Sequence, residues 1–191
     1  GAICVVTLAS CASLPQSSDK QFAALAQQLW QAEQQLQQPA PGQLIDMSAE
    51  AMAQRQQQRL AWQRKLQQID VDRLSEQNQI NHAILSYQLA DQIDEYRFGA
   101  HLMPLTAESG FHSSLGFLPQ RSSFKTGEDY QHYLSKLAAI PAYMQQQMTW
   151  MKQGLATGMT QPKAVLQGFE QSIISYVVQT AAEVTGMPHS D

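Results

Sequence analysis

Residues 124–169 read FKTGEDYQHYLSKLAAIPAYMQQQMTWMKQGLATGMTQPKAVLQGF, and they are the most regularly patterned part of the chain. The pattern predicts three helical pieces joined by two punctuated turns. Thr126 with Asp129 three residues later fits a capping box, in which each side chain satisfies a backbone N–H that a first turn leaves free. Tyr130, Tyr133, Leu134 and Leu137 then fall on one helical face. Pro141 has a fixed φ and no N–H, which suits the first turn of a following helix. Met144, Met148 and Met151 give that helix an apolar stripe, Gly154 is read as its end and Gly158 as a further break. Pro162 after Thr160 is read as opening the last piece. The aromatic and methionine positions read as core. Glu128 and Asp129 lie where a first turn welcomes negative charge, so they read as caps.

Outward from this stretch the chain reads as helix after helix. Asp19 to Gln38 forms the first, capped by Ser18, with Phe22, Leu25, Ala26, Leu29 and Leu36 on one face and glutamines on the other. Pro39-Ala40-Pro41-Gly42 stops it. Ser48 caps a second helix through about Gln68, in which the run Gln54–Arg59 has no apolar residue and is expected to be exposed. Ser75 caps a third, Glu76 to about Tyr96. Its core stripe is read as Ile80, Ala83, Ile84, Tyr87 and Ile93, widened by Leu85 and Leu89, which predicts a central helix. Gln161 to Glu183 is read as one further helix, buried through Val165, Leu166, Phe169, Ile173, Ile174, Val177 and Val178.

Between the third helix and residue 124 lies an irregular region, 97–123, rich in Gly and Pro but also in Leu and Phe. Two readings stand for it. It is a substrate-facing segment with His112 or Glu108 as polar contacts, or a packed connection whose histidines are merely hydrogen-bonded. The predicted class is therefore all-α, a multi-helix portion with one long irregular loop around 97–123.

Composition agrees. The chain has 191 residues, 43% hydrophobic and only 15% charged, with a net charge of -4, so no basic footprint argues for nucleic acid. Strand signals are weak. Both cysteines, Cys4 and Cys11, lie in the first eleven residues and cannot staple the domain.

Those first residues read as an address. GAICVVTLAS is an uncharged apolar run, too short for a bilayer core that needs roughly 20 helical residues. It fits the apolar part of a secretory signal, here without its basic start, so the chain reads as truncated there. Leu8-Ala9-Ser10-Cys11 resembles the lipobox of bacterial lipoproteins. That resemblance implies removal of residues 1–10, acylation of Cys11 and a lipidated tether over 11–18, followed by the helical domain 19–191. Ala12 after the cysteine implies the outer membrane, facing the periplasm. Several acyl chains on one residue anchor stably, whereas one is marginal.

No catalytic constellation stands in the sequence. The five histidines, His82, His101, His112, His132 and His189, are never four apart, so no His-Glu-x-x-His occurs. No Gly-x-Ser-x-Gly elbow or phosphate-cradling glycine loop occurs either. His82 with Asp91 or Asp94 lacks the spacing that would place them on one face as metal ligands. The expected site list is therefore Cys11 for lipid attachment, with no catalytic or metal residue and no cofactor in this chain.

A family resemblance rests on an ordered series of short motifs. These are Ile80–Tyr87 with Leu89, Tyr96-Arg97-Phe98, Met103-Pro104, Gly110, Phe124-Lys125-Thr126, Asp129-Tyr130 with Tyr133-Leu134 and Leu137, Pro141 with Tyr143, Gly154, Gly158, and Pro162-Lys163-Val165. Over roughly Asp70 to Glu183 the chain resembles the N-terminal part of the bacterial domain-of-unknown-function 885 family. The resemblance implies a helical, zinc-metallopeptidase-like protein about three times this length, commonly a lipoprotein or secreted. It also implies a later His-Glu-x-x-Pro-Gly-His motif that holds zinc and activates water. That motif is not in this sequence. The chain would then be a non-catalytic front portion, incomplete at its C-terminal end, supplying a cleft wall for a peptide substrate and the membrane tether. The alternative is a complete, non-enzymatic envelope lipoprotein that acts as a scaffold or binding module.

Overall fold

The chain is described by a computed structural model over residues 17–106 and 110–174. Helices start where short polar side chains satisfy free N–H groups. Ser17, one residue before the expected cap, accepts from the Lys20 amide at 3.4 Å and opens α1, Ser18–Gln37. Ser48 accepts from the Ala51 amide at 3.3 Å and opens α2, Ala49–Gln67. Ser75 precedes α3, Glu76–Arg97, but its hydroxyl donates to Asp19 Oδ1 at 3.1 Å instead of capping. Asp19 also accepts from the Asn78 side chain and the Ser75 amide, which ties the start of α1 to the start of α3; the Asn78 bond first, then that amide, holds the Asp19 carboxyl below its ordinary value.

These three helices share one core: Phe22 and Leu29 from α1, Leu66 from α2, Leu89 and Ile93 from α3, with Leu74 from the connection. Each such side chain contributes about 1.5–3 kcal/mol of burial. Leu25, Ala26, Leu60, Trp62, Ile69 and Leu85 pack around it. The all-α class is as expected, and among the described residues the only extended pairing is the isolated bridge Leu105–Gly110.

Four further expectations are corrected. The first concerns which face of α3 is inside. Ile80, Ile84 and Tyr87 are at least half exposed, while Leu89 and Ile93 are buried. Ile80 and Leu89 are nine positions apart, which at about 100° per residue puts them on opposite faces, as it does Ile84 and Ile93. The helix carries two apolar stripes, and only one is covered by α1 and α2. His82 marks the covered side: its ring lies against Phe22, and Nε2 meets the Leu66 carbonyl oxygen at 3.0 Å.

The second concerns the polar run of α2. Gln54, Gln57 and Gln58 are exposed as expected, but Arg55, Gln56 and Arg59 are half-buried. Gln56 Nε2 donates to the Ile93 carbonyl at 3.2 Å, Arg59 pairs with Glu33 at 3.5 Å, and Arg55 donates to the Asp46 carbonyl. Long polar side chains bury their stems while their ends bond across the interface.

The third concerns the stretch 124–169. The expected three pieces are one helix, α4, Gly127–Thr157, which runs through Pro141. Proline removes the N–H that would bond to the Leu137 carbonyl. Leu137 and Pro141 lie on an exposed face, where water can take up that carbonyl, and the helix continues. Its start is as read: Thr126 and Asp129 form the capping box, and Asp129 Oδ2 also accepts from Ser123 and from the Lys125 amide. Gly154 does not end α4; it is buried inside it, and the terminator is Gly158 at φ 78°. Tyr130, Leu134, Leu137 and Met148, read as core, are exposed.

The fourth concerns the last helix. Residues 163–174 form two short helices, α5 (Lys163–Leu166) and α6 (Phe169–Ile174), broken at Gly168 with φ 77°. Residues 175–183 of the expected helix lie outside the described residues.

Candidate functional site

The second half of α4 meets the irregular region at a glycine. A Cβ at Gly154 would lie 2.5 Å from the Met159 carbonyl oxygen and 2.8 Å from that of Leu102. Only a residue without a side chain lets two stretches of backbone come this close to the helix. The Met159 amide donates back to the Gly154 carbonyl at 2.8 Å, which folds the exit of α4 against its own last turns. Between this junction and residues 102–105 lies an open hollow of about 340 Å³. Its walls are Leu102 to Leu105 on one side, Met148, Met151 and Leu155 of α4 on the other, and Met159 and Leu166 beyond. Lys152 is its one charged lining residue. The volume is at the lower end of small-ligand pockets, and methionine walls adapt to irregular apolar shapes.

Behind the hollow, α4 is held by an anchor. Trp150 Nε1 donates to the Met47 carbonyl at 2.7 Å, and Gln146 Oε1 accepts from the Met47 amide at 2.9 Å. Gln146 Nε2 in turn donates to Asp46 Oδ1 at 2.8 Å. The Ser48 amide, foremost, holds the Asp46 carboxyl below its ordinary value. The His101 ring stands edge-on to Trp150 at 4.6 Å and stacks on Tyr96 at 4.8 Å. Burial in this aromatic sandwich lowers the His101 pKa.

That direction fixes a pH dependence. The unfolded imidazole takes up a proton at about pH 6.5, and the folded one at lower pH. The contribution of neutral His101 to stability is therefore fully present above about pH 6.5. It declines as pH falls below that value and stops declining once the folded imidazole also titrates. Urea midpoints are expected to fall between pH 7 and pH 5 by more in the wild type than in His101→Gln. Asp19, Asp46 and Asp129, whose pKa values are lowered, lose their share only at lower pH. Equal slopes in both proteins over pH 7 to 5 would count against the assignment.

The other candidate residues do not converge. His112 is buried between Phe111 and Phe169, the packing that the packed-connection reading expects of it. His82 contacts Leu66, Asp94 pairs with Arg97, and Asp91 is exposed. Cys11 and Glu108 lie outside the described residues. Among the described residues no three His, Cys, Asp or Glu side chains gather as a metal-holding group, so the zinc implied by the resemblance has no donor set there. Among the described residues no helix is long and apolar enough to cross a membrane. The residues that build the hollow carry no signal in the sequence because they are ordinary apolar types, and what unites them is a contact between segments about fifty positions apart.

Fold and site together define an all-α protein with an open, methionine-lined hollow against one long helix. The chain belongs to the family described as bacterial protein of unknown function (DUF885), which matches residues 23–189. No curated protein and no solved structure matches it.

Proposed function

We propose that the chain is the non-catalytic helical segment of a membrane-anchored, zinc-metallopeptidase-like protein. The hollow beside α4 is one wall of a peptide-binding cleft, and Cys11 carries the lipid anchor. Zinc and peptide-bond hydrolysis belong to a C-terminal part outside this chain. The observation that carries the reading is an open hollow with almost wholly apolar walls in a member of this family. Such a surface is suited to hold side chains of an extended substrate and offers no group to activate water.

The coding frame after Asp191 is the first test. A continuing frame with a His-Glu-x-x-Pro-Gly-His motif supports the reading, and a stop codon sinks it. The full-length product is expected to hold stoichiometric zinc and to show chelator-sensitive peptidase activity, and this chain alone to show none. Cleavage by this chain that a chelator abolishes would overturn the division of labour. Cys11→Ser is expected to move the protein from the membrane to the soluble fraction, and unchanged fractionation would refute the anchor.

A second reading rests on α3. Ile80, Ile84 and Tyr87 form an uncovered apolar stripe, as expected of a scaffold or binding module in the envelope. The stop codon that sinks the first reading would favour this one.

A further inference from the structure

A polar cavity of about 470 Å³ stands apart from the hollow, at the other end of α4. It opens between the turn after α1, residues 121–123 and the first turns of α4. One wall is Pro39-Ala40-Pro41-Gly42. Pro41 and Gly42 form the centre of a turn that the Gln43 amide closes on the Ala40 carbonyl at 2.9 Å, with Gly42 at φ 78°. Gly42 is buried against α4, where a Cβ would lie 3.4 Å from both His132 Cδ2 and Ser135 Cβ. The wall is therefore stiff and seated on the helix, and the cavity is preformed. The chain as a whole is acidic, with 16 acidic against 12 basic side chains, yet this lining reverses the balance. It carries Arg121, His132 and Lys136 against Asp129 alone. Asp129 is committed to its own chain: Oδ2 accepts from Ser123 at 2.8 Å and from the Lys125 and Thr126 amides at 2.9 and 3.0 Å. His132 and Lys136 are one turn apart and share a face of α4, and the Arg121 guanidinium lies over the Phe117 ring at 5.7 Å. Among the described residues neither Arg121 nor Lys136 has an ion-pair partner, and His132 meets only the exposed Glu128, at 3.8 Å.

We infer that this cavity binds the phosphate group of a small monoester, with Arg121 and Lys136 as charge-assisted donors and His132 as a ring N–H donor. Two cations without a protein partner in one concave, preformed site raise the local concentration of anions and hold them by short, strong hydrogen bonds. A phosphomonoester carries about two negative charges at pH 7 and matches both cations, whereas a carboxylate carries one. The guanidinium fork suits two phosphate oxygens, and the ammonium adds a point charge. The cavity is larger than a phosphate group, and Gln38 and Tyr133 give its lining neutral hydrogen-bonding groups, so the body of the ligand is itself polar. The site is independent of the apolar hollow and of the function proposed for it. A soluble ester and the lipid phosphatidic acid both present a phosphate monoester, and the experiment separates them.

The test is calorimetry on the full-length protein with glycerol 3-phosphate and acetate as soluble probes, beside flotation with vesicles of phosphatidic acid in phosphatidylcholine. Glycerol 3-phosphate is expected to bind at one site per chain and about 10-fold or more tighter than acetate. Arg121→Gln and Lys136→Gln are each expected to weaken it by about 10-fold or more. Lys125→Gln removes the same charge from a residue that does not line the cavity, and is expected to leave binding unchanged. Flotation that Arg121→Gln abolishes, without binding of the soluble ester, supports the site and assigns the phosphate to the lipid. Absence of binding to every phosphate probe overturns the inference, as does acetate binding as tightly as the ester. Equal flotation with vesicles of the diester phosphatidylglycerol, or equal weakening by Lys125→Gln, overturns it too, because general charge then explains the attraction. Binding that survives both Arg121→Gln and Lys136→Gln lies elsewhere in the protein and also overturns it.

Discussion

Gly154→Ala is expected to destabilise the protein by roughly 2–4 kcal/mol, although the same change in an exposed helix interior gains about 1 kcal/mol. The inversion of sign comes from position. The new methyl group would stand 2.5 Å from the Met159 carbonyl oxygen and 2.8 Å from that of Leu102. Both obstacles are backbone, so no rotamer change relieves them, and the exit of α4 or residues 102–105 must move. Either movement opens the junction that closes one end of the hollow. Gly127, in the first turn of the same helix, is the matched control: a Cβ there meets nothing within 4 Å. Gly127→Ala is expected to be neutral or slightly stabilising. Urea unfolding followed by circular dichroism, with unchanged m values, gives both numbers. If Gly154→Ala unfolds at the wild-type midpoint or above, the close approach of three backbone segments is wrong.

The same glycine shows where the sequence could be read and where it could not. Chain-local signals are legible because their physics is local. Ser48 and Thr126 announce the starts of α2 and α4 through bonds three residues long, and Gly158 ends α4 because its left-handed backbone suits glycine. Gly154 and Pro141 carry equally strong local signals for a break, yet the helix runs through both. A glycine that ends a helix and one that admits a neighbouring backbone are identical in sequence, and the neighbour, Leu102, is 52 positions away. The two stripes of α3 pose the same difficulty. Periodicity finds both, and only the positions of α1 and α2 decide that Leu89 and Ile93 go inside while Ile84 and Tyr87 stay out. The hollow was illegible for the deeper reason that no residue type in it announces a chemistry. On α4, by contrast, the single helix is legible, because apolar residues alternate in steps of four and three without interruption from Tyr130 to Leu155. The breaker rule that divides it at Pro141 is relaxed by the exposed position of that proline.

Trp150→Ala is expected to be the most damaging single change on α4, at about 3–5 kcal/mol. Trp150 is buried, and it fixes the helix in two directions at once. Its ring packs against His101, which leads into residues 102–105, and its Nε1 holds the Met47 carbonyl, which leads into α2. Trp150→Phe separates the two. It keeps much of the aromatic packing but leaves the Met47 carbonyl without its donor, a loss of about 1–3 kcal/mol if that oxygen stays buried. A Phe variant within about 0.5 kcal/mol of wild type would show that packing alone holds the joint, since substitutions without such a loss fall in that range. The two variants also differ in their effect on His101. Alanine removes the ring that shields the imidazole, so its pKa should rise toward the ordinary value, and the stability loss between pH 7 and 5 should shrink. Phenylalanine should leave most of that loss in place. One residue thus links the 46–48 connection, the buried imidazole and the wall of the hollow. If the pH dependence is the same in both variants, His101 and Trp150 are not coupled, and α4 is positioned by the Gln146 bonds to Asp46 and Met47 instead.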